Sequence, residues 1–158
     1  MRGKEKVIAQ LNDALRSELL AISQYFLHAE MCENWGYKRL GSLVKKHSID
    51  EMKHAEKVIE RILFLDAMPA MGMGLPLKIG PNVKAQLEND LALEVEAVSQ
   101  YNNAIKVCVE EGDNTSRELF ETLLKDEESH VDFLEAQLHI IREAGIENYL
   151  ATLTHLED

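Results

Sequence analysis

The sequence predicts an all-α protein: an antiparallel four-helix bundle with a long crossover between helices 2 and 3 and a short C-terminal fifth helix. Three observations lead there. Apolar residues recur at helical spacing in four long segments, few breakers interrupt the chain, and no stretch alternates as a strand would. The 158 residues make one domain, 1–158, in which 8 Gly and 3 Pro leave room for long helices.

The first helix, about 4–34, carries Val7, Leu11, Leu15, Ile22, Tyr25 and Ala29 on one stripe and stops at Asn34-Trp35-Gly36. The second, about 37–66, carries Leu40, Leu43, Val58, Ile62 and Leu65. The third, about 82–111, carries Val83, Leu87, Leu91, Val98, Tyr101 and Ile105 and stops at Gly112. The fourth, about 114–144, carries Leu119, Leu123, Leu134, Leu138 and Ile141, with Thr115 and Glu118 as a capping box and Gly145 as the stop. A short fifth helix covers about 146–153.

Helices of nearly thirty residues are about 40 Å long and need partners along their whole length, which a bundle supplies. The short breaks force antiparallel hairpins. The 14 residues from Met68 to Pro81 can span about 46 Å when extended, enough to carry the chain back along the bundle. Met68, Met71 and Met73 in this stretch read as hydrophobic covers.

Charge narrows the partners. With 17 Lys+Arg against 28 Asp+Glu the net charge is -11, which opposes binding to nucleic acid or an anionic membrane surface and favours cations. No signal peptide and no apolar run of membrane-spanning length is present. Cys32 and Cys108 read as small buried hydrophobes in a reducing compartment, so a cytoplasmic location is expected.

The inward stripe is interrupted by charge at regular places. Glu18 takes a core slot in the first helix, Glu51 and His54 in the second, Glu94 in the third, Glu127 and His130 in the fourth. Glu18 and Glu51 are 33 residues apart, as are Glu94 and Glu127, and the two pairs are offset by 76. Ala21-Ile22-Ser23-Gln24-Tyr25 and Ala97-Val98-Ser99-Gln100-Tyr101 share that offset, as do Asp50-Glu51 and Asp126-Glu127. The chain is an internal duplication. In each hairpin the Glu and the Glu-x-x-His pair are equidistant from the turn, so all six side chains meet near mid-bundle, each Glu-x-x-His pair on one helix face.

A lone buried Glu or His is ordinarily a satisfied core residue. Four carboxylates at close range would repel one another and lose hydration unless cations neutralise them. Two divalent ions do so. Oxygen ligands with one imidazole per metal suit iron or manganese better than a cysteine-rich structural zinc site. Met52, rotated by roughly 130° from Glu51 and His54, faces outward and reads from periodicity as interface packing. Tyr25 and Tyr101 fall on the ligand face near the centre, as ordinary buried tyrosines also would.

At these residues the sequence resembles the bacterioferritin family. The likeness lies in Val7-Ile8, Leu11-Asn12, Leu15, Glu18-Leu19, Ala21-Ile22 and Gln24-Tyr25-Phe26-Leu27-His28, in Ser48-Ile49-Asp50-Glu51-Met52-Lys53-His54-Ala55, in Ile59-Glu60-Arg61-Ile62-Leu63-Phe64-Leu65 and in Asn148-Tyr149-Leu150. The resemblance implies a ferritin-like fold and a di-iron ferroxidase centre of Glu18, Glu51, His54, Glu94, Glu127 and His130, with Glu51 and Glu127 bridging the irons. It implies oxidation of Fe(II) by oxygen or hydrogen peroxide and storage of ferric mineral in a hollow homo-oligomer of 24 subunits, whose fourfold contacts residues 146–153 line.

It also implies haem b, one per subunit dimer, ligated by paired Met52 residues in a pocket lined by Leu19, Ile22, Ser23, Phe26 and Ile49. A ferredoxin-type electron donor would then serve iron release. Some members place a further iron on the inner surface through a His four residues before Asp50, where this chain has Lys46. The residues alone also admit a non-storage di-iron oxidase or peroxidase, although the Cys-x-x-Cys module of a rubrerythrin-like peroxidase is absent.

Overall fold

The computed structural model describes residues 1–72, 74 and 76–155; Met73, one of the expected covers, and the last three residues of the 1–158 domain lie outside the described residues. Among the described residues five helices follow in order: α1 Glu5–Asn34, α2 Lys38–Phe64, α3 Val83–Glu111, α4 Asn114–Ala144 and α5 Ile146–Ala151. Among the described residues there is no strand, and no helix is long and apolar enough to cross a membrane.

Local chemistry sets the boundaries. α2 stops at Phe64, short of 66, because Leu65 leaves the helical region and Asp66 takes a left-handed φ of 56°. Asn82 caps α3 by accepting from the Ala85 N–H at 2.9 Å, and Gly112 ends it at φ 71°, a conformation glycine adopts without penalty. The cap of α4 corrects the Thr115/Glu118 expectation: the helix already begins at Asn114, and Asp113 accepts from the Ser116 N–H at 3.0 Å. Arg61 reaches from α2 to the same corner, bonding Asp113 and the Ser116 hydroxyl at 2.8 Å each. α5 ends at Ala151, and the chain continues as a turn whose Leu153 carbonyl accepts from the Arg39 N–H at 2.9 Å.

Cross-helix contacts fix the register. α1 meets α3 through Ser17 with Gln100, Tyr101 with Glu18, and Cys32 with Gln86. α2 meets α4 through His47 with Phe133, His54 with Asp126, and Arg61 with Ser116. In both pairs the numbers run oppositely, so neighbouring helices are antiparallel throughout. The core then falls into two apolar clusters. One gathers Leu11, Leu15, Val58, Ile62, Phe120 and Leu123; the other gathers Ala29, Leu40, Val44, Leu87, Leu134 and Ile141. Between them on all four helices lie the charged positions 18, 51, 54, 94, 127 and 130.

The crossover is strapped to the bundle by buried polar groups. Gln24 Oε1 accepts from the Lys78 N–H at 3.0 Å, and His28 Nε2 accepts from the Gly80 N–H at 3.0 Å. Because Nε2 accepts, His28 carries its proton on Nδ1, which meets Asp90 Oδ1 at 2.9 Å. Gln24 Nε2 donates to the same oxygen at 2.9 Å. Gln24, His28 and Asp90 are buried, and each finds its partners in this network. Asp90→Ala removes the acceptor of two buried donors and is expected to cost about 3 kcal/mol, lowering the thermal midpoint and speeding proteolysis within the crossover. An unchanged midpoint would show that the network does not hold the strap.

Candidate metal centre

The Glu-x-x-His spacing on α2 and α4 puts each carboxylate and imidazole on the inward face, and the antiparallel register brings Glu18 and Glu94 to the same height. Two overlapping groups of metal-capable atoms result. Glu18, Glu51, His54 and Glu127 form one, and Glu51, Glu94, Glu127 and His130 form the other; within each, one ligand atom per residue lies within 4.8 Å of all the rest. Glu51 and Glu127 belong to both. All six side chains are at most 7% exposed.

The donors converge inward, and several of their atoms are left without a hydrogen bond. Glu18 Oε2, Glu51 Oε1, His54 Nδ1, Glu94 Oε2 and Glu127 Oε1 are buried without a hydrogen-bond partner, although His54 Nδ1 stands 2.9 Å from Glu127 Oε1. Buried unpaired carboxylate oxygens are costly, and a cation between them removes that cost. The donor set therefore fits two divalent ions.

Each outer carboxylate is held by a phenol from a neighbouring helix. Tyr25 donates to Glu94 Oε1 and Tyr101 to Glu18 Oε1. Burial and the adjacent carboxylates keep both phenols protonated, well above the usual tyrosine range. Each leaves the other oxygen of its glutamate free. Tyr101 therefore mirrors Tyr25 through the internal repeat, and both are bonded to the centre rather than merely near it.

The imidazoles are also oriented. His54 bonds Asp126 Oδ2 through Nε2 at 2.9 Å, which directs Nδ1 inward. His130 likewise turns Nδ1 toward Glu51 at 2.9 Å and Glu94 at 3.3 Å. Sequence reasoning assigned no role to Asp126, although the repeated Asp-Glu pair at 50–51 and 126–127 marked the position. Lys46 is exposed, whereas His47 is half-buried with its ring against His130 at a centroid distance of 4.7 Å. Burial and His130 lower the His47 imidazole to about 4.

Without metal the charges are redistributed as protons. Burial, then the charge of Glu51, raises the Glu18 carboxyl well above the ordinary range, and burial with Glu127 does the same to Glu94. Burial also works against ionised Glu51, yet bonds to Glu18, His130 and His54 outweigh it and hold its carboxyl below the usual range. His54 and His130 are desolvated, which favours the neutral ring, but the carboxylates led by Glu127 prevail: His54 is raised strongly and His130 is pushed up to about 12.

Two recesses reach the centre. One of about 570 Å³ opens between α1 and α3 under the crossover and includes Glu18, Glu51, Glu94, Tyr25, Tyr101 and Lys78 in its wall. The other, of about 450 Å³, opens on the α2/α4 face at His47, Asp50, His54, Asp126 and His130. On the outer surface of α1 and α2, Phe26 and Met52 are 54% and 47% exposed. Ile49 is exposed beside them, where the Ser48 hydroxyl bonds the Ile22 carbonyl across the two helices.

A four-helix bundle with two Glu-x-x-His pairs and two further glutamates facing one another defines the class of ferritin-like proteins, and residues 8–144 match the ferritin-like domain family. The chain is 46% identical over 149 residues to the bacterioferritin of Brucella melitensis, covering 94% of this chain and 92% of that one. It is 44% identical over 151 residues to the bacterioferritin of Mycolicibacterium paratuberculosis, with 96% and 95% covered. Against that of Rhodobacter capsulatus it is 46% identical over 149 residues, with 94% and 92% covered. The chain belongs to the bacterioferritin family.

Metal binding requires neutral imidazoles and ionised carboxylates, whereas in the free centre both histidines and the outer carboxyls of Glu18 and Glu94 hold their protons more tightly than usual. Loading the metal-free protein with Co(II) or Zn(II) at pH 7 is therefore expected to release about two protons per subunit from the histidines, and more to the extent that Glu18 and Glu94 are protonated. Affinity should fall as the pH is lowered. Indicator-dye titration in weak buffer measures the release, and stoichiometric loading without it would contradict the protonation assigned to His54 and His130.

Proposed function

We propose that this chain stores iron by oxidising Fe(II) at the six-residue centre and depositing the ferric product inside a hollow homo-oligomeric shell. Supporting this are the two overlapping groups of ligand atoms that share Glu51 and Glu127, together with the likeness to bacterioferritins. Glu18 and His54 hold one Fe(II), Glu94 and His130 the other, and Glu51 and Glu127 lie between them. Four carboxylates neutralise two divalent ions; oxidation leaves an excess of positive charge that promotes water deprotonation and release of product. The electrons pass to oxygen or hydrogen peroxide. Tyr25 and Tyr101 keep Glu94 and Glu18 in position, and Asp126 fixes the His54 ring.

The recess between α1 and α3 gives Fe(II) a route to the centre, and the acidic surface draws it there. In this reading 24 subunits form the shell and the chain acts in the cytoplasm. The test is stopped-flow oxidation with particle mass. Wild-type protein should show a fast phase with two Fe(II) per subunit and sediment as a shell. Glu18→Ala and Glu94→Ala should each slow the fast phase at least about tenfold while remaining helical. Unchanged oxidation in both variants, or only monomers and dimers at micromolar concentration, would overturn the reading.

The outward apolar strip of Phe26, Ile49 and Met52 is suited to a twofold subunit contact. There the Met52 thioethers of two copies would hold haem b, which when bound supplies one-electron transfer for iron release, with a ferredoxin-type protein as donor. A thioether is a soft ligand that suits haem iron and favours its ferrous state. Met52→Leu is expected to abolish the low-spin haem spectrum of haem-replete protein without preventing uptake of two Fe(II), because Met52 lies on the other side of α2 from Glu51 and His54. Retention of the wild-type spectrum would make Met52 an interface residue only.

A further inference from the structure

We propose that His47 is a positioning residue for His130, its ring holding the His130 imidazole in the orientation that points Nδ1 into the centre. This rests on the metal-centre reading above and begins from a difference between the two halves of the molecule. His54 is fixed by its outer nitrogen, bonded to Asp126 at 2.9 Å. The repeat-related contact, His130 Nε2 to Asp50 Oδ2, is 3.7 Å, too long for a hydrogen bond. A ligating imidazole is ordinarily oriented through its other ring nitrogen, and His130 lacks that restraint.

A ring contact takes its place. His47 lies against His130 with centroids 4.7 Å apart and planes inclined at 30°. Phe133 in turn meets His47 edge-on, at 4.8 Å and 88°. Both come from the helices that carry the ligands: His47 stands four residues before Glu51, and Phe133 three after His130. The positions 76 residues away are Leu123 and Lys57, neither of which has a ring. Among the described residues, the His47–Phe133 support therefore stands beside the histidine whose outer hydrogen bond is missing, with no ring at the equivalent positions of the other repeat. It sits in the wall of the α2/α4 recess, where the outer side of the His130 ring would otherwise face open space.

A ring held by stacking can tilt where one held by a short hydrogen bond cannot, so the two metal positions should respond differently to loss of His47. The test is Co(II) titration of the assembled protein followed by visible d–d absorption. Wild type should take up two Co(II) per subunit. His47→Gln, which keeps side-chain volume but removes the ring, should weaken one of the two binding events about tenfold and leave the other unchanged. His47→Phe should restore it. A His47→Gln titration superimposable on wild type overturns the assignment. So does a His47→Phe protein as weak as His47→Gln, which would make the ring nitrogen, not the ring face, the active feature. A wild-type chain that takes up fewer than two Co(II) overturns the metal-centre reading and this assignment with it.

Discussion

Four glutamates and two histidines buried at one height set the terms for everything around them. Carboxylates so close together cannot all ionise in a buried layer, and burial together with the neighbouring carboxylates raises the outer two well above their ordinary range. The bundle accommodates them by making the layer continuous across all four helices, so that each charge meets an imidazole, a phenol or another carboxylate. The apolar core is consequently divided in two, with Leu15, Val58 and Leu123 on one side and Val44, Leu87 and Leu134 on the other. Stability resides in those two flanking cores, which leaves the polar layer between them to be shaped by chemistry.

The duplication explains how such a layer is built economically, and where it departs from symmetry. Glu18 and Glu94 occupy equivalent slots with equivalent tyrosine donors, and the same holds for the Glu-x-x-His pairs. Outside the ligands the halves diverge. Met52 corresponds to Glu128 in the other repeat, so the exposed methionine of α2 has no counterpart on α4. Asp126 and Asp50 diverge too: one bonds its histidine and the other stands off.

Much of this was legible in the sequence because it depends on period and offset. Helical spacing gave the helices, and the repeated offset of 76 residues gave the six inward side chains. What was not legible depends on packing between segments distant in sequence. Gln24, Gln86, His28 and Asp90 are buried polar residues with no apolar signature, and only the path of the crossover reveals what they bond. The bounds of α4 held, but its cap differs for a related reason: Thr115 and Glu118 satisfy the local pattern, whereas Asp113 caps the helix and also has Arg61 from α2 as a partner.

The way the strap is fastened also determines how freely its sequence can drift. Every bond the bundle makes to Lys78 and Gly80 goes to main-chain atoms: Gln24 and Asn89 take the N–H and C=O of the first, His28 and Gln86 those of the second. Proline apart, side-chain identity at 78 is irrelevant to that attachment, so the position can mutate without loosening the chain, although its side chain lines the recess. Gly80 has no such licence. A Cβ there would lie 2.3 Å from the Gln86 nitrogen, so two neighbouring anchor points with the same function differ completely in the substitutions they tolerate.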